Sequence, residues 1–315
     1  MSTYSNFRAP LKLALHCFVA VLSTWARQGF AATDNLTYRK NALFMHQTSF
    51  IEELTHTNQI QTSENTFSRA DLEQGSIPIE IFKNPLYAPQ EVYRLALEAI
   101  EEKTHEENRT LSDEEKQALI RKFFEEKANT VDTQVIEGVA VAIAKTSVSK
   151  VMELFSHLEN FKNYVPNVFL NSLHLTPQEL KERGVVGLPA IEYQFSKIKI
   201  ASVEFTHTLK YEITSYQKNG VECKLVAWEI AAPKFDRDWA YPRQGVLMNN
   251  GLFMVEPYIQ ENGIVDLTRS VILYHVYIKV DPLNFVMDLL STLFRESEAR
   301  SAIYALANAL RKEAQ

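Results

Sequence analysis

The sequence predicts an α+β fold in which a run of antiparallel strands is closed by a long C-terminal helix. Three observations predict it. Asn219-Gly220 and Asn262-Gly263 each stand between apolar runs, as two-residue hairpin turns do. From Thr133 onward the chain reads strand, helix, then a series of extended stretches. Asp281-Pro282 has the N-cap and first-turn chemistry that opens a helix, here running to about Lys312.

Taken in order, residues 1–31 read as an export signal peptide. Arg8 and Lys12 make a basic start free of acids, and Leu13 to Ala26 is a 14-residue apolar run broken only by His16, Ser23 and Thr24. Gly29-Phe30-Ala31 puts small residues at the −3 and −1 positions of a cleavage after Ala31. The run falls short of the about 20 residues a membrane span needs, although an uncleaved anchor or a buried helix competes with the signal reading. Residues 32–75, rich in Thr, Asn, Gln and Ser, read as a polar linker with one short helix around Leu43 to Leu54. Residues 76–130 read as a helical extension. Val92, Leu95, Ala96, Ala99 and Ile100 keep helical spacing behind Pro89, and Ser112-Asp113-Glu114-Glu115 is a capping box ahead of Leu119, Phe123 and Phe124.

The remaining domain is 131–315. Thr133 to Ala144 is a strand; Ser147 to Tyr164 is a helix with a stripe of Val151, Leu154, Phe155, Leu158 and Phe161, ending before Pro166. Extended stretches follow at 168–175, 190–200, 203–217, 221–231, 250–260 and 264–280, with a short helix at Pro177 to Arg183. If Asn219-Gly220 is a two-residue loop, Lys210 faces Glu229 and the inward face collects the pairs Leu209–Ile230, Tyr211–Trp228 and Ile213–Val226, continuing to Phe205 and His207. The same reasoning at Asn262-Gly263 puts Glu256 opposite Arg269. Phe253, Val255, Ile272, Tyr274, Val276 and Ile278 then share one face, and Leu252, Met254, Val271, Leu273, His275 and Tyr277 the other. Both faces are apolar, so the back of this hairpin needs a cover, for which the helices of 89–128 are the nearest candidate. The last helix is apolar nearly all round from Leu283 to Phe294 and amphipathic after Arg295, so its first half calls for burial on several sides.

Composition bounds the function. With 46% apolar and 23% charged residues among 315, and a mean hydropathy of −0.19, collagenous, low-complexity and polytopic membrane classes drop out. Nine glycines argue against repeated phosphate-cradling turns, and a net charge of −6 with pI near 5.8 argues against a nucleic-acid partner. Loss of the signal removes Arg8, Lys12 and Arg27, taking the charge from −6 to −9, and leaves Cys223 as the only cysteine, so no intramolecular disulfide can form. The location expected is export, to the periplasm in a bacterium and otherwise to the outside of the cell.

The helix reading Phe155-x-x-Leu158-x-x-Phe161-x-x-Tyr164-Val165-Pro166, the strand Gly251-Leu252-Phe253-Met254-Val255-Glu256-Pro257, and Asp281-Pro282 before a long helix resemble the START-like helix-grip superfamily of polyketide cyclases and lipid-transfer proteins. Arg237-Asp238-Trp239-Ala240-Tyr241-Pro242-Arg243 is similar to the Arg-Asp-aromatic segment of START domains. Phe253 stands where the family has Trp, and the Gly-x-x-Pro that follows the Asp-Pro in START domains is missing. The resemblance covers about 131–315. It implies a curved antiparallel sheet wrapped around the C-terminal helix, with a cavity between them for a lipid or other hydrophobic small molecule. Phe205, His207, Leu209, Tyr211, Val226, Trp228, Phe253, Tyr274, Met287, Leu290 and Phe294 would line that cavity, with Arg237 at its mouth; filling an ordinary core is the competing role for each.

No enzyme motif is present: no Gly-x-Ser-x-Gly, no His-Glu-x-x-His, no Walker loop and no Cys-x-x-Cys, and nothing that calls for a cofactor or a metal. The expectation is an exported carrier or sensor of a lipid or hydrophobic molecule, compatible with transient membrane contact and silent on protein partners. Two alternatives stand beside it. One is a cyclase- or hydrolase-like enzyme using His207 or Asp238 as acid or base. The other is an interaction module with a filled core. Cys223 and His275 read as structural, and Arg237, Asp238 and Arg243 either recognise an acidic headgroup or pair among themselves in a loop.

Overall fold

The computed structural model describes residues 54, 57–82, 87, 89–127, 130, 135–185, 187–188, 190–200, 203–218, 220–231, 235, 240–280 and 292–313. The export signal, Arg237, Asp238, Asp281-Pro282, Met287 and Leu290 lie outside them. The chain divides into two compact units, one of residues 1–39 and 86–130 and one of 40–85 and 131–315.

In the first unit α2 (Pro89–Glu106) and α3 (Asp113–Lys127) pack on one another as a helical hairpin. The capping box forms: Ser112 N–H donates to Glu115 Oε2 at 2.8 Å and Glu115 N–H donates to Ser112 Oγ at 3.2 Å. The buried face of α2 is Val92, Ala96 and Ile100, with Leu95 and Ala99 half-buried.

The second unit is α+β and its core is an eight-stranded antiparallel sheet. The strands are β3 (Ile79–Phe82), β4 (Val135–Ala144), β5 (Phe169–His174), β6 (Ile191–Ile200), β7 (Val203–Lys218), β8 (Val221–Ile230), β9 (Val246–Ile259) and β10 (Val265–Val280), in the spatial order β3-β4-β10-β9-β8-β7-β6-β5. The C-terminal helix α7 (Thr292–Glu313) lies on the sheet face that carries Phe205, Leu209, Trp228, Phe253 and Tyr274, burying Ala299, Ile303, Ala307 and Leu310 in one core with them. This is the helix-grip arrangement. It approaches β4 closely because that strand's inward residues are Gly138, Ala140, Ala142 and Ala144; a Cβ on Gly138 would collide with Ile303.

The expected helix at 147–164 is broken into α4 (Val148–Glu153), two 3-10 turns (Leu154–Ser156 and Leu158–Asn160) and α5 (Phe161–Tyr164). His157, at φ −131° and ψ 57°, interrupts it. The Leu158 carbonyl accepts instead from Ser172 Oγ at 2.5 Å and Gln194 Nε2 at 2.9 Å, so this carbonyl stays paired despite the break. The short helix α6 (Pro177–Glu182) forms with a Thr176–Glu179 capping box.

The first hairpin has the expected register throughout, from Lys218↔Val221 to Leu209↔Ile230, and Lys210 Nζ stands 3.8 Å from Glu229. The second does not. Past the turn Val265 pairs with Ile259, but Val271 pairs with Glu256, three residues having entered β10 between Asp266 and Ser270. Asp266 Oδ1 accepts from Thr268 N–H and its hydroxyl, at 2.9 and 2.6 Å, which folds the strand into a local turn. Pro257, opposite the break, has no N–H to hold the ladder there. Arg269 therefore pairs with Asp266 and Glu73 rather than Glu256, which is taken by Lys218 at 2.7 Å and Tyr216. The net slip past the bulge is two residues, so the face assignments survive.

The polar-linker reading of 32–75 is corrected over its described part. β1 (Gln59–Gln61) and β2 (Thr66–Ser68) form a small hairpin, α1 (Arg69–Glu73) follows, and β3 joins the main sheet beside β4. At the turn end of β9–β10, the outer face is met by α1. Arg69 donates to the Tyr258 hydroxyl and the Ile259 carbonyl, and Glu73 accepts from Tyr258 and Arg269. Composition hid this because each element is three to five residues long and held by distant partners rather than by its own periodicity.

Candidate functional site

The inward face of the sheet and α7 enclose a cavity of about 80 Å³. It exists because aromatic side chains on the strands face small ones on the helix. Trp228 (β8), Phe253 (β9) and Tyr274 (β10) form one wall, with ring centroids 4.9 Å apart for Trp228–Phe253 and 4.7 Å for Phe253–Tyr274. Ala299 and Ala302 of α7 lie among the residues lining the other side, with Ile303 and Leu306. Phe161 and Phe169 contribute from α5 and β5. No Asp, Glu, Lys or Arg is among the described lining residues.

Its polar groups are few and their roles can be assigned. The Trp228 indole N–H donates to Asn249 Oδ1 at 3.0 Å. An indole nitrogen can only donate, so the Asn249 amide oxygen must face it, and the amide nitrogen faces His207. That nitrogen lies 3.0 Å from His207 Nε2. Nε2 is therefore the accepting nitrogen, and the ring proton sits on Nδ1. Nδ1 is buried and has no partner among the described residues, and the same holds for Ser196 Oγ. Ser196 on β6 is the direct cross-strand neighbour of His207 on β7, so both occupy the inward face; His207 lines the cavity, and Ser196 stands behind it rather than among the lining residues. Burial lowers the His207 pKa to about 4 and holds the ring neutral at ordinary pH.

Two tyrosines complete the set. Tyr211 donates to Gln194 Oε1 at 2.6 Å, and Gln194 in turn donates to Ser172 and Leu158, so this side chain is satisfied within the protein. The Tyr274 hydroxyl hydrogen-bonds to none of the described residues. Burial raises the pKa of both phenols, so each remains a protonated donor.

Of the residues expected to line a cavity, His207, Leu209, Tyr211, Trp228, Phe253 and Tyr274 do so. Phe205 and Val226 are buried in the same core but away from the wall; the Phe205 ring packs against Gly245. Arg237, Met287 and Leu290 lie outside the described residues, as does the side chain of Phe294. Arg243 is exposed. Asn249, Ser196 and Gln194 were not anticipated. Asn249 precedes the expected strand start at 250, and the detectable signal was its parity with Gly251 and Phe253. His275 lies on the opposite face, 2.9 Å from Glu137, and burial pushes the Cys223 thiol up to about 11. Among the described residues no group of three or more His, Cys, Asp or Glu is placed to hold a metal ion.

No family model matches the chain, and no curated protein matches it. Solved structures do. An aromatase/cyclase, Zhui from Streptomyces sp. R1128, is similar at 11% identity and TM-score 0.40, over 57% of this chain and 93% of that one. A STAR-related lipid transfer protein from Xanthomonas axonopodis is similar at 13% identity and TM-score 0.40, over 59% and 89%. The lipid transfer and protein localization domain of human StarD13 is similar at 8% identity and TM-score 0.38, over 58% and 79%.

Proposed function

We propose that this chain is an exported binding protein that holds a hydrophobic small molecule between its sheet and its C-terminal helix. The observation that carries the reading is the cavity: an aromatic wall, a helix side of alanines, and a few buried polar groups that converge on it. Ligand sites are built this way, mostly apolar with sparse polar groups that fix orientation. Its size limits the occupant. At about 80 Å³ it is smaller than the ~150 Å³ apolar cavity that accepts benzene, and far below the ~300–1,000 Å³ of drug-sized sites. An acyl chain would have to displace the α7 wall, where Ala299 and Ala302 give the least contact to lose.

The cyclase- or hydrolase-like alternative places an acid or base at His207. Its low pKa makes the neutral ring a weak base near pH 7, and no carboxylate stands among the described lining residues to assist it. Binding is therefore the better-supported use of the cavity.

Native mass spectrometry of the folded protein, after exposure to a lipid extract and to short ketones, tests the reading. A retained hydrophobic molecule is expected, released when the protein unfolds. Apoprotein alone under every condition would sink it. Export is tested separately, by recovering the protein outside the cytoplasm with Ala32 at its N-terminus.

A further inference from the structure

We infer that the cavity selects a ligand carrying an uncharged oxygen acceptor, such as a ketone, ester or amide carbonyl, and that His207 Nδ1–H with Ser196 Oγ–H binds that oxygen. This rests on the binding function proposed above and specifies the chemistry of its ligand.

The argument runs from the indole outward. Trp228 N–H fixes the Asn249 amide, the amide fixes Nε2 of His207 as an acceptor, and the proton is left on Nδ1. The result is a ring nitrogen that must donate, in a residue 1% exposed, with nothing to donate to among the described residues. Beside it on the next strand Ser196, fully buried, has a hydroxyl in the same condition. Buried donors in folded proteins nearly always have partners. Two orphans facing the same side of the sheet from adjacent strands are satisfied together by one acceptor atom with two lone pairs. An oxygen is such an atom.

The charge of the ligand follows from the wall. No cationic side chain is among the described lining residues, so a carboxylate or phosphate would be desolvated without a counter-charge. A carbonyl oxygen carries no such penalty. Tyr274, which also lines the cavity and whose hydroxyl hydrogen-bonds to none of the described residues, supplies a donor for a second oxygen on a larger ligand.

The test compares three small molecules of like shape on the full chain, matched to a cavity of about 80 Å³: acetone, isobutene and acetate. Binding is followed by nitrogen chemical shifts of the ¹⁵N-histidine-labelled protein. The expected result is that acetone binds about tenfold or more tighter than the alkene and the carboxylate, and shifts His207 Nδ1 while Nε2 keeps its acceptor character. Ser196→Ala, a small change that preserves packing, should reduce the ketone preference, and His207→Phe should abolish it. Equal binding of ketone and alkene with His207 unshifted would overturn this inference and leave the binding function standing. Carboxylate binding as tightly as ketone, or a water that stays on Nδ1–H in the ketone complex, would overturn it too. If none of the three binds, both readings fail.

Discussion

Gly251 lies against the indole of Trp228: a Cβ at this position would fall inside van der Waals contact of the ring and of the His275 carbonyl. The strands holding these residues pair directly there, Trp228 opposite Gly251. The glycine is thus the seat that lets the indole lie flat over the sheet and reach Asn249. Gly251→Ala forces the ring to move, as overpacking of a dense core does. A loss of about 1–3 kcal/mol is expected in urea unfolding, with changed tryptophan emission in the folded state. Unaltered stability and emission would show that the indole is not held there.

Acid should weaken the protein through His207. Its pKa is about 4 folded against 6.5 for an unperturbed histidine, so the unfolded chain binds a proton that the folded one refuses. The contribution is fully present above pH 6.5 and is lost as pH falls towards 4, amounting to ~3 kcal/mol over that window. The stability of His207→Gln, measured by denaturant titration at pH 7 and pH 4.5, should fall less than that of the parent. Parallel pH profiles would contradict the burial of a neutral ring.

How much of this could be read from the chain depends on what holds each element. The β7–β8 register was legible because Asn219-Gly220 is a two-residue loop and the alternation from Leu209 to Trp228 admits one solution. The β9–β10 register was not. The turn made by Asp266 with Thr268, beside Pro257, inserts residues that no periodicity announces, yet an even net slip preserved both faces. At the site, Trp228 and His207 stood out by parity and size. Ser196 and Asn249 did not, since a polar residue on an inward face acquires meaning only from its partner on another strand.

Filling the cavity should separate its two roles. Ala302 of α7 lines it, and Leu at this position would occupy space the native helix leaves open. Stability of Ala302→Leu should be unchanged or raised by about 0.5–2 kcal/mol, as cavity-filling changes usually give. Uptake of a hydrophobic probe should be lost. A variant that takes up the probe as before would place the ligand elsewhere.

Arg69 carries the last prediction, on the segment that composition alone would treat as a linker. The residue is 5% exposed and each guanidinium nitrogen has an acceptor. Nε donates to Asn58 Oδ1 at 2.9 Å, Nη2 to the Leu54 carbonyl at 3.0 Å, and Nη1 to both the Tyr258 hydroxyl and the Ile259 carbonyl. One side chain thus ties Leu54, Asn58 and α1 to the end of β9, with its cation over the Tyr258 ring at 5.4 Å. Arg69→Met keeps much of the volume and strips four acceptors of their donor. Leaving several buried polar groups unpaired should cost on the order of 3 kcal/mol, seen in urea unfolding. Arg69→Lys should recover only part of this, because an ammonium cannot span the same fork of acceptors. Protease cleavage within 54–82 should speed up in Arg69→Met before the rest of the sheet unfolds, as expected of a segment that has lost its buried anchor and keeps the β3–β4 pairing and the Glu73 and Arg300 contacts. Parent-like stability together with parent-like protection of 54–82 would mean that the segment is held without Arg69, by its apolar contacts and the Glu73 and Arg300 bonds.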